Sequence, residues 1–447
     1  MPVSPARAAA FDILLRVERE SSYASELLHS VAHEHLSTPD HALATELVMG
    51  VLRWRSRLDE QIQRASTTPR SKLDLEVLIS LRLAVYQFGW LDRVPKHAAL
   101  NESVELVKRA RKRSAAGFVN AVLRKFAAAE LEAAIRIEGS SAESLARTSA
   151  HPLWIVERWV EQYGISSAKQ ICEYDQGVPA TTIRLRTPDP ERPLLDEQVT
   201  LAPGGLVSSA RRVLGGDITK TNGFRTRAVV IQDEASQLVA ALVGSGEKIL
   251  DCCAAPGGKT LAIADRDPSI SIVAAEIHPH RARLMRQLTQ ASATAKHPIR
   301  VISADATQLP IRSQFNRILA DVPCSGTGTI ARNPEIKWRL KPGDLPDLHT
   351  RQAAILRSAL SYLEPAGRII YSTCSLEKEE NEDVVEEILN ENSAIRVIDC
   401  TTELERLKAV GELLWSDLHS LVRGPYLRTI PGVHPCDGFF AAILERN

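Results

Sequence analysis

Several familiar signals are missing from this chain. No apolar run nears the roughly 18–20 residues that a bilayer span needs, so no membrane helix is expected. After Arg7 the N-terminus turns amphipathic, without the unbroken apolar core of a secretion signal. Aromatic residues make up only 5%, so an aromatic binding surface has to be local. The seven cysteines are odd in number, widely spread and never spaced C-x₂-C. That argues against a disulfide scaffold or a zinc site and for a reducing cytoplasm. Charge of one sign is lacking too. The 55 Lys and Arg balance 55 Asp and Glu, which taken alone counts against a polyanion partner.

What is present reads as an ordinary folded protein. Hydrophobic residues at 44% and charged residues at 25% exclude wholesale disorder. A length of 447 residues predicts two to four domains. Residues 1–135 repeat apolar positions at three and four over 6–20, 42–54, 73–88 and 98–112, which predicts an all-α helical bundle. Residues 136–150 are small and polar, a linker with one further helix. Residues 151–230 open with the helical HPLWIVERWVEQYG and continue with the alternating strand TTIRLRT (181–187), a small α+β module.

From 231 to 447 strands and helices alternate. The candidate strands are 248–251, 271–276, 300–303, 317–321 and 368–373, with a late hairpin-like pair at 395–399 and 438–444. This predicts an α/β, Rossmann-like doubly wound sheet with its ligand at the strands' C-terminal ends. Net charge is polarised across the parts, at +3 for 1–150, +1 for 151–230 and −4 for 231–447. Neutrality is a cancellation, and a nucleic-acid partner remains open.

Polar and reactive residues cluster at the strand ends. The first strand runs into DCCAAPGGKT (251–260). A Walker loop would need glycine where Cys253 stands, and the G-x-G-x-x-G pattern is absent. Asp251, Glu276, Asp305 and Asp321 then end or follow four consecutive strands. Such acids suit a nucleoside cofactor, with Glu276 on the ribose and Asp305 at the adenine, although any single one of them also reads as a loop starter or cap. DVPCSGTG (321–328) and YSTCS (371–375) place Cys324 and Cys374 beyond neighbouring strands, in loops that favour a nucleophile over a buried small hydrophobe. The blander reading suits Cys172, Cys252, Cys400 and Cys436. The acidic run EKEENED (377–383) reads as a solvated helix. KRARKR (108–113) reads either as a solvated face or, beside a nucleic-acid enzyme, as a phosphate-binding one.

DCCAAPGGKT, DVPCSGTG and STCS, in this order, closely resemble the RNA cytosine-5 methyltransferases of the Nol/Nop/Sun family, as do QDEAS (232–236), RNPEIKW (332–338) and HPCDGFF (434–440). The N-terminal part resembles the antitermination factor NusB, an RNA-binding helical fold. The combination is similar to bacterial enzymes that methylate a cytidine of small-subunit 16S ribosomal RNA.

The resemblance implies S-adenosylmethionine held by Cys253, Ala254, Ala255, Pro256, Gly257, Gly258, Lys259, Glu276, Asp305 and Asp321. It implies Cys374 as nucleophile, Cys324 in product release, Asp321 and Lys259 as helpers, no metal, and an RRM-like middle module. With that enzyme in view, Lys108, Arg109, Arg111, Lys112 and Arg113 are candidate RNA contacts of a monomer acting on 16S rRNA before or early in subunit assembly. Two further readings stand beside it: a tRNA substrate, or a non-catalytic RNA-binding antitermination or assembly factor. The intact loop and both cysteines speak against the latter.

Overall fold

The computed structural model describes residues 3–20, 22–128, 137–186, 194, 198–290 and 298–447. It divides into two compact units, one of Met1–Val178 with Ile330–Leu340, the other of Pro179–Thr329 with Lys341–Asn447. The expected boundaries at 135/136 and 150/151 do not fall between units. The first of them lies outside the described residues.

The first unit is helical. Pro5–Glu20, Thr38–Ala65, Leu75–Trp90, Lys96–Arg109 and Ala116–Ala128 surround one core that includes Leu14, Leu52, Ile79, Leu83 and Leu123. The last of these helices was not anticipated. Leu75–Trp90 is buried at every position from Val77 to Gln87, the mark of a central helix. Its one charge in that stretch, Arg82, is satisfied by Asp59 at 2.7 and 2.8 Å and by Glu18 at 3.0 Å. The helix Leu153–Gln176, expected to open the middle module, packs into this unit, with Trp159 wholly buried.

The segment 330–340 also lies in the helical unit, although its sequence neighbours belong to the other one. Lys337 is wholly buried there and donates to the Arg53 carbonyl at 2.9 Å. Trp338 Nε1 donates to the Leu52 carbonyl, and Glu335 accepts the Ala24 N–H. RNPEIKW is therefore a buried strap.

The second unit holds two sheets. β1 (Thr182–Leu185), β2 (Thr200–Pro203), β3 (Ala210–Gly215) and β4 (Val229–Ile231) form an antiparallel sheet in the order β2-β3-β1-β4. Four antiparallel strands suit the RRM-like expectation. The central strands β1 and β3 nevertheless carry no aromatic residue, so the base-stacking platform of that module is missing. QDEAS joins this sheet to the larger one. Glu234 accepts the N–H groups of Gly205, Leu206 and Val207, and Gln232 accepts from Arg184.

The larger sheet contains β5 (Lys248–Asp251), β6 (Ser271–Glu276), β7 (Arg300–Ser303), β8 (Phe315–Asp321), β9 (Leu363–Thr373), β10 (Ile395–Ile398), β11 (Val422–Arg423), β12 (Tyr426–Arg428) and β13 (Phe440–Arg446). Its order is β11-β12-β13-β9-β8-β5-β6-β7, with β10 on β13. β9, β8, β5, β6 and β7 run parallel; β13 lies antiparallel to β9 and β10, the expected late pair. The chain leaves β5 for β6 on one side and later returns to β8 on the other. The switch point thus lies between β5 and β8, where such sheets bind ligands.

Candidate active site

Three adjacent strands deliver the reactive groups. Asp321 pairs in register with Ser372, so the ends of β8 and β9 are level and both cysteine loops leave from one edge. Leu319 pairs with Asp251, which brings the loop after β5 alongside. That loop turns at Gly257, whose φ of 105° is a left-handed conformation open to glycine. The helix Gly258–Arg266 begins there, and its first turn carries Lys259.

Lys259 Nζ lies 2.7 Å from Asp321 Oδ2, while Ser372 Oγ donates to Asp321 Oδ1 at 2.7 Å. The Lys259 ammonium also sits 4.8 Å from the centre of the Phe439 ring. Burial pulls this ammonium down, but the Asp321 carboxylate, with Cys374 and Asp251 behind it, raises it above the usual lysine range. Lys259 is held as a cation against Asp321.

Cys324 Sγ and Cys374 Sγ are 3.2 Å apart. The loops that carry them are laced together. Gly328 N–H donates to the Cys374 carbonyl at 2.9 Å, and Leu376 N–H to Thr327 Oγ1 at 2.8 Å. A Cβ on Gly328 would lie 2.1 Å from the Gly438 carbonyl oxygen, so HPCDGFF closes over the Cys324 loop only because glycines meet there. The Cys324 thiol is pushed well above its ordinary value by its bond to Cys374, by burial and by the charge of Glu380. Burial does the same to Cys253. Cys172, Cys252, Cys400 and Cys436 are buried, as small hydrophobes are.

The strand-end acids divide. Glu276 closes β6 nearly buried and accepts the His278 N–H at 2.8 Å. Asp305 is exposed and accepts from the Thr307 N–H and hydroxyl through Oδ1. Asp251 is 1% exposed and accepts from Thr260 Oγ1 at 2.6 Å, pinning the helix to β5, while its Oδ1 has no partner. Of the expected set the structure brings Lys259, Asp321, Cys324 and Cys374 together; Glu276 and Asp305 stand at the neighbouring strand ends. The loop 253–258, the open helix start and these acids fit a nucleoside cofactor without a phosphate. Among the described residues no cluster of His, Cys, Asp and Glu is placed to hold a metal.

The expectation of a solvated 377–383 run is corrected. Glu377, Glu380 and Asn381 are wholly buried, because the turn Lys378–Glu380 folds under the end of β9. Glu380 and Phe439 were missed. Glu380 lay in the acidic run just after STCS, and Phe439 within the terminal motif HPCDGFF.

KRARKR is largely neutralised. Lys108 pairs with Glu105, Arg109 with Asp12 and Lys112 with Asp74, at 2.7, 2.7 and 3.0 Å. Arg111 and Arg113 are exposed and make no ion pair among the described residues. A separate cleft of about 230 Å³ in the second unit, lined in part by Arg184, Arg186, Gln237 and Asp265, contains none of the cysteines or strand-end acids. Arg184 and Arg186 are already bound to Asp265, and Arg266, which also lines it, to Glu412.

The profile of the 16S rRNA methyltransferase RsmB/F matches residues 241–445, and that of the NusB family residues 4–128. A probable ribosomal RNA small subunit methyltransferase B of Bacillus subtilis is 32% identical over 457 residues, covering 100% of both chains. The ribosomal RNA small subunit methyltransferase B of Vibrio cholerae is 30% identical over 458 residues, covering 99% of this chain and 97% of its own. Among solved structures, PH0851 covers 100% of both chains with a TM-score of 0.78 at 21% identity. NSun6 from Pyrococcus horikoshii, solved with SFG, covers 67% of this chain and 99% of its own, with a TM-score of 0.56 at 17% identity.

Proposed function

The chain belongs to the RsmB family of small-subunit rRNA methyltransferases, and from that premise we propose that it methylates C5 of a cytidine in 16S rRNA through a covalent bond from Cys374 to C6. The observation that carries this reading is the pair of cysteines 3.2 Å apart at adjacent strand ends, with the ion pair of Lys259 and Asp321 at the end of one of those strands.

Cytosine C5 is a poor nucleophile. Addition of a thiolate to C6 moves an electron pair towards C5 and splits one hard step into easier ones. Lys259, fixed by Asp321, is the cation of the site. S-adenosylmethionine, when bound, supplies the methyl group from its sulfonium. Cys253–Lys259 and Glu276 would hold it, with Asp305 at the base. Release requires loss of the C5 proton to water and cleavage of the sulfur–C6 bond, which restores the ring and the Cys374 thiolate. A base in a duplex is out of reach of a thiol, so an unpaired or flipped cytidine is the substrate. Arg111 and Arg113 are the cations of 108–113 left to meet its phosphates. The enzyme acts as a cytoplasmic monomer on rRNA before or early in subunit assembly.

Incubation with methyl-labelled S-adenosylmethionine and an unmodified 16S transcript should place label in 5-methylcytidine. Label in another nucleoside, or none while the cofactor binds, would overturn the reading.

A further inference from the structure

Glu380 has no counterpart among the expected site residues, yet it touches both cysteine loops. It is wholly buried. Oε1 accepts the Ser325 backbone N–H at 2.8 Å and Gln352 Nε2 at 2.9 Å. Oε2 accepts the hydroxyls of Ser375, at 2.5 Å, and of Ser325. Ser325 follows Cys324, and Ser375 follows Cys374. Gln352, also wholly buried, reaches the Pro323 carbonyl at 3.0 Å, on the other side of Cys324. The turn that carries Glu380 is itself fixed, since Tyr371 Oη donates to the Glu380 carbonyl at 2.6 Å. Among the described residues no cation lies within ion-pair distance of this carboxylate. A buried carboxyl group with four hydrogen bonds and no ion-pair partner is costly for a fold that needed only packing.

Its hydrogen bonds tie the Cys324 loop to the Cys374 loop through Ser325 and Ser375. Two sulfurs 3.2 Å apart disfavour charge on both, so one of the pair keeps its proton to donate. When the sulfur–C6 bond breaks heterolytically, the pair stays on Cys374 and the C5–H pair closes the C5–C6 double bond. The C5 proton goes to water. Negative charge develops on Cys374 Sγ, 3.2 Å from Cys324.

We propose that Glu380 is a positioning residue that holds Cys324 as the hydrogen-bond donor to the departing Cys374 sulfur. Cys324 exchanges no proton in that step. Its S–H stabilises the leaving thiolate, and Glu380 fixes the loop that aims it. This rests on the covalent reading of the site and names what drives its last step.

The test uses the full-length protein, S-adenosylmethionine and an unmodified 16S transcript. Glu380→Gln should keep cofactor affinity and KM for RNA while kcat falls about 10–100-fold, the scale of one charge-assisted hydrogen bond. The denaturation-resistant protein–RNA adduct should accumulate, with its formation rate little changed. Cys324→Ser, which keeps a donor, should release product faster than Cys324→Ala. If Glu380→Gln fails to fold or to bind cofactor, Ser325→Ala and Ser375→Ala carry the test. Each removes one hydroxyl from the carboxylate and should show the same pattern, more weakly.

Wild-type kcat in these variants, or loss of adduct formation in place of its accumulation, would overturn the role of Glu380. Equal release from Cys324→Ser and Cys324→Ala would overturn the donor role. Methyl transfer by Cys374→Ala would instead overturn the covalent reading, a separate failure.

Discussion

Asp251 shows how one residue serves the site through the fold. Burial pushes its carboxyl up to about 7, against the donation from Thr260. The unfolded chain ionises this group near 3.8, whereas the folded chain keeps its proton until about pH 7. Its contribution to stability is therefore full below pH 3.8 and lost as pH rises through about 7. Asp251→Asn should match the parent at pH 4 and exceed it at pH 8, by on the order of a few kcal/mol. Paired thermal melts read this, and a difference that stays flat with pH would contradict it. Lys259 and Asp321 show the reverse arrangement, two opposite charges 2.7 Å apart that satisfy one another.

At the scale of elements, the strap 330–340 was hidden in the sequence although its motif was not. RNPEIKW follows the Cys324 loop and was legible only as a motif shared with the family. Its partners Arg53, Leu52 and Ala24 lie some 280–310 residues earlier in the chain, beyond the reach of any local pattern. Burial lowers the Lys337 ammonium to about 7. The folded form thus loses its proton between about 7 and 10.5 while the unfolded form keeps it, and stability rises with pH across that window. The stability of Lys337→Met relative to the parent should be greatest at pH 7 and decline by pH 9.5 in denaturant titrations. A constant gap would mean that Lys337 is charged throughout.

The basic run 108–113 is an element whose sequence overstates it, since three of its five cations are spent on acids. Arg111→Gln with Arg113→Gln should weaken rRNA binding and reduce the log–log salt slope by about 2. Cofactor affinity should stay unchanged. An unaltered slope would make the run a solvated face.

For the whole molecule, the sheet was legible because each parallel strand is a short apolar run ending in a polar loop. The strands 248–251, 271–276 and 300–303 lie where the alternation put them. The cysteine motifs were legible as well, since Pro, Gly and Ser around a thiol are poor material for a core. Unit boundaries were not, because the helix Leu153–Gln176 and the strap have ordinary amphipathic sequences whose partners are set by tertiary packing. Nor was Glu380, since an acid in an acidic run looks alike whether it meets water or a ring of buried donors. Overall neutrality likewise hid a fold that separates a mildly basic helical part from an acidic catalytic one.

The central claim is the division of labour between the two thiols. The most direct measurement mixes end-labelled 16S transcript and S-adenosylmethionine with the parent, Cys374→Ala and Cys324→Ala proteins, then separates the products on a denaturing gel. The account predicts a persistent protein–RNA band with Cys324→Ala and none with Cys374→Ala, which also transfers no methyl group. A band from Cys374→Ala that is absent from Cys324→Ala would contradict it.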